Sequence, residues 1–229
     1  MTVKIIAELG SNPAASGWPM KIYCDAAALA GADAAKTQLF YAEHFPEAER
    51  ESKHPLEFPR ERLAEFVACA HNAGLEAGAS VFDADAVALA AKYCDWLKLA
   101  AREQSNSDLR GLTILTRKTV YRSISNFDNF RVMWREVPMV TISEYPTPMW
   151  KSLLAVIGAE DYFRRRAALR AWGWSSHTRG WWDCALAVRL GASVIEKHIC
   201  LLHNEIEGGH SLTPADFSRM TSYVRRWEI

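Results

Sequence analysis

Short β-rich runs alternate with alanine-rich helical stretches from one end of this sequence to the other, and that alternation limits the chain to a few architectures. Strands are expected near 3–9, 34–39, 76–82, 96–100, 119–124, 139–145, 171–176 and 193–199. Helical patterns fall between them at 19–31, 60–73, 84–93, 150–169 and 181–190. A last helix starts at Thr213-Pro214, an N-cap followed by proline at the first helical position. Gly31, Gly74 and Gly191 sit where helix ends should turn toward the next strand. The segments after the fourth and fifth strands are short, with weak helical signals. Eight strands with alternating helices fit an α/β fold with a closed parallel sheet, the (β/α)8 TIM barrel. An open doubly wound sheet is the rival, weakened because no Gly-x-Gly-x-x-Gly follows any strand.

At 229 residues, the chain is long enough for one large core and short for two, so residues 1–229 read as a single domain. Residues 41–59 are polar, contain Pro46, Pro55 and Pro59, and look like a surface excursion over the barrel mouth. Lys plus Arg equals Asp plus Glu at 27 each, which gives no support for a nucleic-acid surface. Cys24, Cys69, Cys94, Cys184 and Cys200 are scattered with no Cys-x-x-Cys pair, as expected of reduced thiols in a cytoplasmic protein. No apolar run approaches the ~20 residues needed to span a bilayer, and no signal-peptide pattern opens the sequence. A membrane partner is therefore not expected, and the cytoplasm is the default location.

In a closed barrel, alternate strand residues point inward, and those at the C-terminal strand ends line the active site. Glu8 ends the first strand, before Gly10-Ser11-Asn12. Lys36 and Gln38 share a face on the second, Ser80 ends the third, and Lys98 sits mid-fourth with Glu103 and Asn106 shortly after it. Ser123 ends the fifth. Thr141, Ser143 and Tyr145 share a face on the sixth, Ser175 and His177 on the seventh, and Glu196 and His198 on the eighth. A lone strand histidine is more often a hydrogen-bonded core residue than a ligand. A lone buried lysine can simply pair with a glutamate, as Lys36 would with Glu8 or Glu196. Convergence from all eight strand ends is what favours a site. His177 and His198 lie on neighbouring strands, and two imidazoles with open positions suit Mn²⁺, Zn²⁺, Fe²⁺ or Co²⁺. Lysines and serine hydroxyls suit phosphate and carboxylate oxygens.

At these residues the sequence resembles the sialic acid synthase (N-acetylneuraminate synthase) family of phosphoenolpyruvate-condensing enzymes. The matching segments are Ile5-Ile6-Ala7-Glu8-Leu9-Gly10-Ser11-Asn12, Ala30-Gly31-Ala32-Asp33-Ala34-Ala35-Lys36-Thr37-Gln38, Leu97-Lys98-Leu99-Ala100 and Ser143-Glu144-Tyr145-Pro146-Thr147-Pro148. The most specific are Gly173-Trp174-Ser175-Ser176-His177-Thr178 and Gly191-Ala192-Ser193-Val194-Ile195-Glu196-Lys197-His198. The resemblance implies coupling of phosphoenolpyruvate to N-acetylmannosamine or a related amino sugar, assisted by a divalent metal, usually Mn²⁺, with Mg²⁺ or Co²⁺ as substitutes. It implies that His177 and His198 hold the metal. Lys36, Ser80, Lys98, Ser123, Ser143 and Ser175 would surround phosphoenolpyruvate. Gln38 and Tyr145 would contact the sugar, with Glu103 as a further substrate contact, and Glu8 and Glu196, beside Lys36, would orient water or move protons. A homodimer is implied as well.

The sequence also departs from the family. Ala101 replaces a phosphate-binding serine, beside Arg102, which either supplies charge there or fills the pocket. Ser123-Ile124-Ser125-Asn126 replaces a glycine-containing turn, Ser176 an aspartate and Pro13 a histidine. Glu207 either replaces the aspartate that contacts sugar, or His210 marks a shifted alignment. The family's C-terminal antifreeze-like domain, which supplies an arginine to the partner subunit's sugar, is expected to be missing. A separate chain would then supply it, a local arginine such as Arg179 would compensate, or sugar handling would differ. The leading expectation is an active synthase. The alternatives are a non-catalytic barrel that binds a ligand or partner, and a different metal-dependent carbon–carbon synthase or lyase. Trp172 is expected in the core and Trp181 or Trp182 at a surface. Arg122, pointing away from Ser123 beneath the helices, has no explanation in the sequence.

Overall fold

A computed structural model of the protein describes residues 2–126, 131–166 and 171–227. Its strands are β1 (Lys4–Glu8), β2 (Ala34–Leu39), β3 (Glu76–Val81), β4 (Trp96–Leu99), β5 (Thr119–Ile124), β6 (Glu136–Thr141), β7 (Gly173–Ser176) and β8 (Val194–His198). They pair in chain order, all parallel, and β8 closes onto β1. This is the expected (β/α)8 barrel. The helices are α1 (Asn12–Ser16), α2 (Met20–Leu29), α3 (Glu47–Lys53), α4 (Leu63–Asn72), α5 (Ala84–Tyr93), α6 (Ser107–Leu115), α7 (Met149–Arg164), α8 (Trp182–Arg189) and α9 (Pro214–Val224).

Two cores follow from the period-two alternation of the strands. Outward residues such as Ile5, Ala7, Ala77, Leu97, Val140, Trp174 and Ile195 pack against the helices in one continuous apolar layer. Inward residues Ile6, Ala34, Trp96, Tyr121, Met139 and Val194 plug the lower barrel. The plug is built from unequal partners. Trp96 meets Tyr121 edge-on at 4.9 Å, and its ring fills the space where a Cβ on Gly78 would stand only 2.3 Å away. With the bottom sealed, the remaining inward positions toward the C-terminal strand ends form the floor of a cup.

Two expectations about elements need correction. The sixth strand does not run over 139–145: β6 begins at Glu136, passes through Pro138 and ends at Thr141. Pro138 looks like a boundary because it gives up a ladder hydrogen bond, yet it stays in register with Arg122. The strand ends because the next carbonyl, of Ile142, accepts from His177 Nδ1 at 2.6 Å instead of joining the ladder. Ser143 and Tyr145 therefore sit on the following loop, not on a strand face with Thr141. The segment after β4 holds a real helix, α6, capped by the Asn106 side chain, which accepts from the Leu109 amide at 3.0 Å. Helix α7 stops at Arg164, and residues 167–169 of its expected span lie outside the described residues. Trp172 is buried against Phe163, and Trp182 is exposed, as expected.

Candidate active site

Four charged side chains form the cup floor. Glu8 and Lys36 are paired across β1 and β2 and make a buried ion pair. Lys98 Nζ lies 2.5 Å from Glu196 Oε1, and Lys36 Nζ lies 3.8 Å from the same oxygen. Hydroxyls and an amide complete the network. Lys36 donates to Ser80 Oγ at 2.6 Å, Ser175 donates to Glu196 Oε1 at 3.1 Å, and Gln38 Nε2 donates to Glu8 Oε1 at 3.0 Å. Burial pushes the Glu196 carboxyl up, but the Lys36 and Lys98 ammonium groups outweigh it and hold the group down at about 2. Burial pushes Lys36 down, but Glu196 and Glu8 outweigh it and raise the lysine. Lys98 is lowered, by burial first and then by repulsion from Lys36 despite Glu196. Glu196 Oε2 is buried with no hydrogen-bond partner among the described residues.

A collar of imidazoles stands on one side of the floor. The centres of His177 and His198 are 5.4 Å apart. His177 Nδ1 faces the Ile142 carbonyl, which can only accept, so Nδ1 carries the proton and Nε2 keeps its lone pair. His198 Nδ1 lies 2.7 Å from Glu207 Oε2. Burial pushes the Glu207 carboxyl up, but His198 outweighs it and lowers the group, so Glu207 is the ionised acceptor here. His198 therefore also presents Nε2. Histidines that bind metal ions characteristically donate their other N–H to a carbonyl or carboxylate, and both rings meet that condition. The donor set fits a divalent cation. His177 is held neutral chiefly by burial and then by His198.

The cavity above the floor has a volume of about 600 Å³, within the range of small-molecule sites. Lys36, Gln38, Ser80, Lys98, Ser123, Ser143, Tyr145, Ser175, His177, Glu196, His198 and Glu207 all line it. Glu8 lies just beneath, completely buried. Glu103 is the exception: it caps a short turn, accepts from Asn106 Nδ2 at 3.0 Å and does not line the cavity. Arg102 lines the rim, its guanidinium 4.1 Å from the Phe45 ring centre, with Lys53 Nζ 4.9 Å from the same ring. Arg179 is exposed and off the cavity. Arg122 is explained by the backbone it meets, donating to the carbonyls of Gln104 and Arg131 at 3.0 and 3.2 Å.

The excursion expected over the barrel mouth at residues 41–59 places Phe45, Lys53 and Leu56 in the cavity wall, side chains that sequence reasoning did not single out. That reasoning named His210 only as the mark of a shifted alignment and did not place it beside His198, whose ring centre lies 4.5 Å from that of His210. The polar support under β7 was missed too. Asp183 accepts from Trp174 Nε1, Ser152 Oγ and Thr178 Oγ1 at 2.9, 2.7 and 3.1 Å, and this holds the residue next to His177. An acidic residue in the first turn of α8 was the available signal.

The site is thus a closed parallel barrel, sealed below and opening above onto ammonium, hydroxyl and imidazole groups. Comparison with known proteins narrows this. Residues 136–229 match the NeuB family. The N-acetylneuraminic acid (sialic acid) synthetase of Leptospira borgpetersenii serovar Hardjo-bovis, solved with citrate, superposes with a TM-score of 0.88 at 22% identity, covering 99% of this chain and 84% of that one. The spore coat polysaccharide biosynthesis protein spsE of Bacillus subtilis gives 0.83 at 25% identity, covering 99% and 68%. A putative spore coat polysaccharide biosynthesis protein E of Chromobacterium violaceum gives 0.84 at 20%, covering 99% and 75%. Comparison with curated protein sequences gave no match. Residues 136–229 carry the NeuB family pattern, and the whole chain has the barrel fold of these solved structures. Among the described residues, no helix is long and apolar enough to cross a membrane.

Proposed function

We propose that this protein joins phosphoenolpyruvate to the open-chain aldehyde of an N-acetylhexosamine, N-acetylmannosamine or a relative, releasing phosphate and a nine-carbon sialic-acid-type sugar acid. The carrying observation is the convergence of Lys36 and Lys98, each beside a serine hydroxyl, with two Nε2-presenting histidines in one cavity. A bond forms between the enol carbon and the aldehyde carbon. Water adds to the carbon bearing the phosphate ester, that C–O bond breaks, and inorganic phosphate leaves. Lys36, Lys98 and Ser80 are placed to bind carboxylate and phosphate oxygens. Glu196 stays ionised and keeps one oxygen with no hydrogen-bond partner among the described residues, suiting it to orient the attacking water by accepting a hydrogen bond from it. A divalent metal bound by His177 and His198, Mn²⁺ first among the expected ions, would polarise the aldehyde as a Lewis acid.

Charge supports the metal. Lys36 and Lys98 bring two positive charges to the site, and Glu8, Glu196 and Glu207 bring three negative ones. On the cavity floor an anionic substrate would meet no positive excess unless a cation were bound at the imidazoles, since Arg102 and Lys53 add their charge only on the wall.

The test is phosphate release from phosphoenolpyruvate, with Mn²⁺ and N-acetylmannosamine each present or omitted, and His177→Ala as control. Release needing metal, sugar and His177 is expected. Binding of phosphoenolpyruvate without release with any N-acetylhexosamine would sink the assigned acceptor, and no binding at all would sink the reading itself. A dimer, a cytoplasmic location and a second chain supplying an arginine belong to the same proposal.

A further inference from the structure

His210 stands in the collar with no assigned role. His198, Glu207 and His210 each offer a metal-binding atom, and these atoms lie within 4.8 Å of one another. The His210 ring centre is 4.5 Å from that of His198 and 6.2 Å from that of His177. Rings sharing one ion at metal–nitrogen distances of ~2.0–2.1 Å have centres about 5 Å apart; His198 stands near that separation from both His177 and His210, whereas His177 and His210 are farther apart, so His177 would move toward His210 when one ion takes all three. Among the described residues, neither His210 ring nitrogen makes a hydrogen bond, and the ring lines the cavity. Each Glu207 carboxylate oxygen, by contrast, already accepts a hydrogen bond: Oε2 from His198 and Oε1 from the Ser11 amide at 2.9 Å.

The loop is built to hold this arrangement. The Leu212 amide donates to the His198 carbonyl at 2.9 Å, the Cys200 amide donates to the Leu212 carbonyl at 3.0 Å, and Ser211 Oγ donates to the Glu207 carbonyl at 2.7 Å. These bonds fasten the chain on either side of His210 to the end of β8.

We infer that His210 is a third imidazole ligand, completing with His177 and His198 a three-nitrogen face that selects a borderline ion such as Zn²⁺ or Co²⁺ over Mg²⁺. Glu207 then orients His198 from behind and does not coordinate. Three imidazoles suit these ions, whereas Mg²⁺ prefers oxygen and keeps its waters. The inference rests on the proposed reading that His177 and His198 hold the metal.

The test titrates the metal-free full chain with Co²⁺, followed by visible absorption. The wild-type chain should bind Co²⁺, Zn²⁺ should displace it, and Mg²⁺ in large excess should not. His210→Ala and His210→Gln should each weaken Co²⁺ binding by at least about tenfold, the lower end of what losing a mere outer partner costs. Free imidazole should restore binding in His210→Ala, an effect that misfolding would not produce. Unchanged affinity in both His210 variants, with loss in His177→Ala, would overturn the third ligand while leaving the two-histidine site standing. Absence of Co²⁺ binding in the wild-type chain would overturn both.

Discussion

Glu207 holds His198 by its Nδ1 proton at 2.7 Å while pressing against Gly10, where a Cβ would stand 1.9 Å from its Oε2. The absence of a side chain at Gly10 thus makes room for the carboxylate that holds His198. Glu207→Gln preserves volume and removes the charge behind the imidazole. Metal affinity should fall about 10–100-fold, read by Co²⁺ or Mn²⁺ titration, with the unfolding midpoint almost unchanged. Gly10→Ala should do more, because the residue has φ +56° and the new methyl displaces Glu207. Strain of order 1–3 kcal/mol should appear in urea denaturation, together with weakened metal binding. Metal affinity at the wild-type level in both variants would detach Glu207 from the site.

The buried quartet on the floor predicts a second result. Lys36→Met leaves Glu8 and Glu196 facing each other's field with one ammonium between them, and should destabilise the fold by about 3–5 kcal/mol. Removing the partner as well, in Lys36→Met with Glu8→Leu, should recover much of that loss, since an uncompensated charge costs more than an absent pair. Phosphate release should be lost in both. Denaturation curves that rank the double variant below the single one would contradict the paired arrangement.

The acid side of the stability profile follows from the same groups. Glu196 has a folded pKa of about 2 against an ordinary 4.5, so its contribution is full above pH 4.5 and is lost as pH falls toward 2. His210 is held at about 3, by burial first and then by His198, against an ordinary 6.5. Its unfolded form takes a proton below pH 6.5 while the folded ring does not, so stability drops from there downward. His177 acts in the same direction. Metal-free protein should therefore lose stability in two stages, first below pH 6.5 and then below 4.5, at up to about 1.4 kcal/mol per pH unit for each participating group. In His210→Gln the first stage should be shallower; an unchanged slope would remove His210 from it.

Much of this was legible in the sequence because barrel strands obey a two-residue period. Glu8, Lys36, Gln38, Ser80, Lys98, Ser123, Ser175, Glu196 and His198 were found by parity alone, and all lie in or under the cavity. Loops obey no such period. Ser143 and Tyr145 reach the cavity from a loop, so their predicted strand face was wrong although their cavity position held. Glu103 failed for the opposite reason: a turn directly after β4 rotated it toward Asn106 and away from the mouth. His210 was invisible as a partner because its approach to His198 depends on a loop folding back along β8.

Arg102 offers a test of the rim. It stacks on Phe45 at 4.1 Å, on the wall of the cavity and not in the floor network of Lys36 and Lys98. A cation there attracts an anionic substrate equally before and during reaction. Arg102→Ala should raise KM for phosphoenolpyruvate about tenfold, ~1.4 kcal/mol of binding, with kcat little changed. Added salt should narrow the difference between the variant and the wild-type protein. A selective fall in kcat would instead put Arg102 against the reacting atoms.

Asp183 carries a last prediction, because it reaches His177 only through other residues. Its carboxylate gathers donors from β7 (Trp174), α7 (Ser152) and the loop after His177 (Thr178), and it is fully buried. Lys197, also buried, donates to Ser176 Oγ and to the Thr178 carbonyl, holding the same loop from β8. Asp183→Ala strips three buried donors of their acceptor, each worth about 1–3 kcal/mol when left unsatisfied, and should cost at least ~3 kcal/mol in urea denaturation. Asp183→Asn keeps one acceptor oxygen in nearly the same volume and should cost less. The informative measurement is metal affinity in the folded Asp183→Asn protein at low urea. A drop relative to wild type, with Mn²⁺ or Co²⁺ as probe, identifies Asp183 as a positioning residue for His177. Unchanged affinity beside lowered stability would confine it to packing between the barrel and α8.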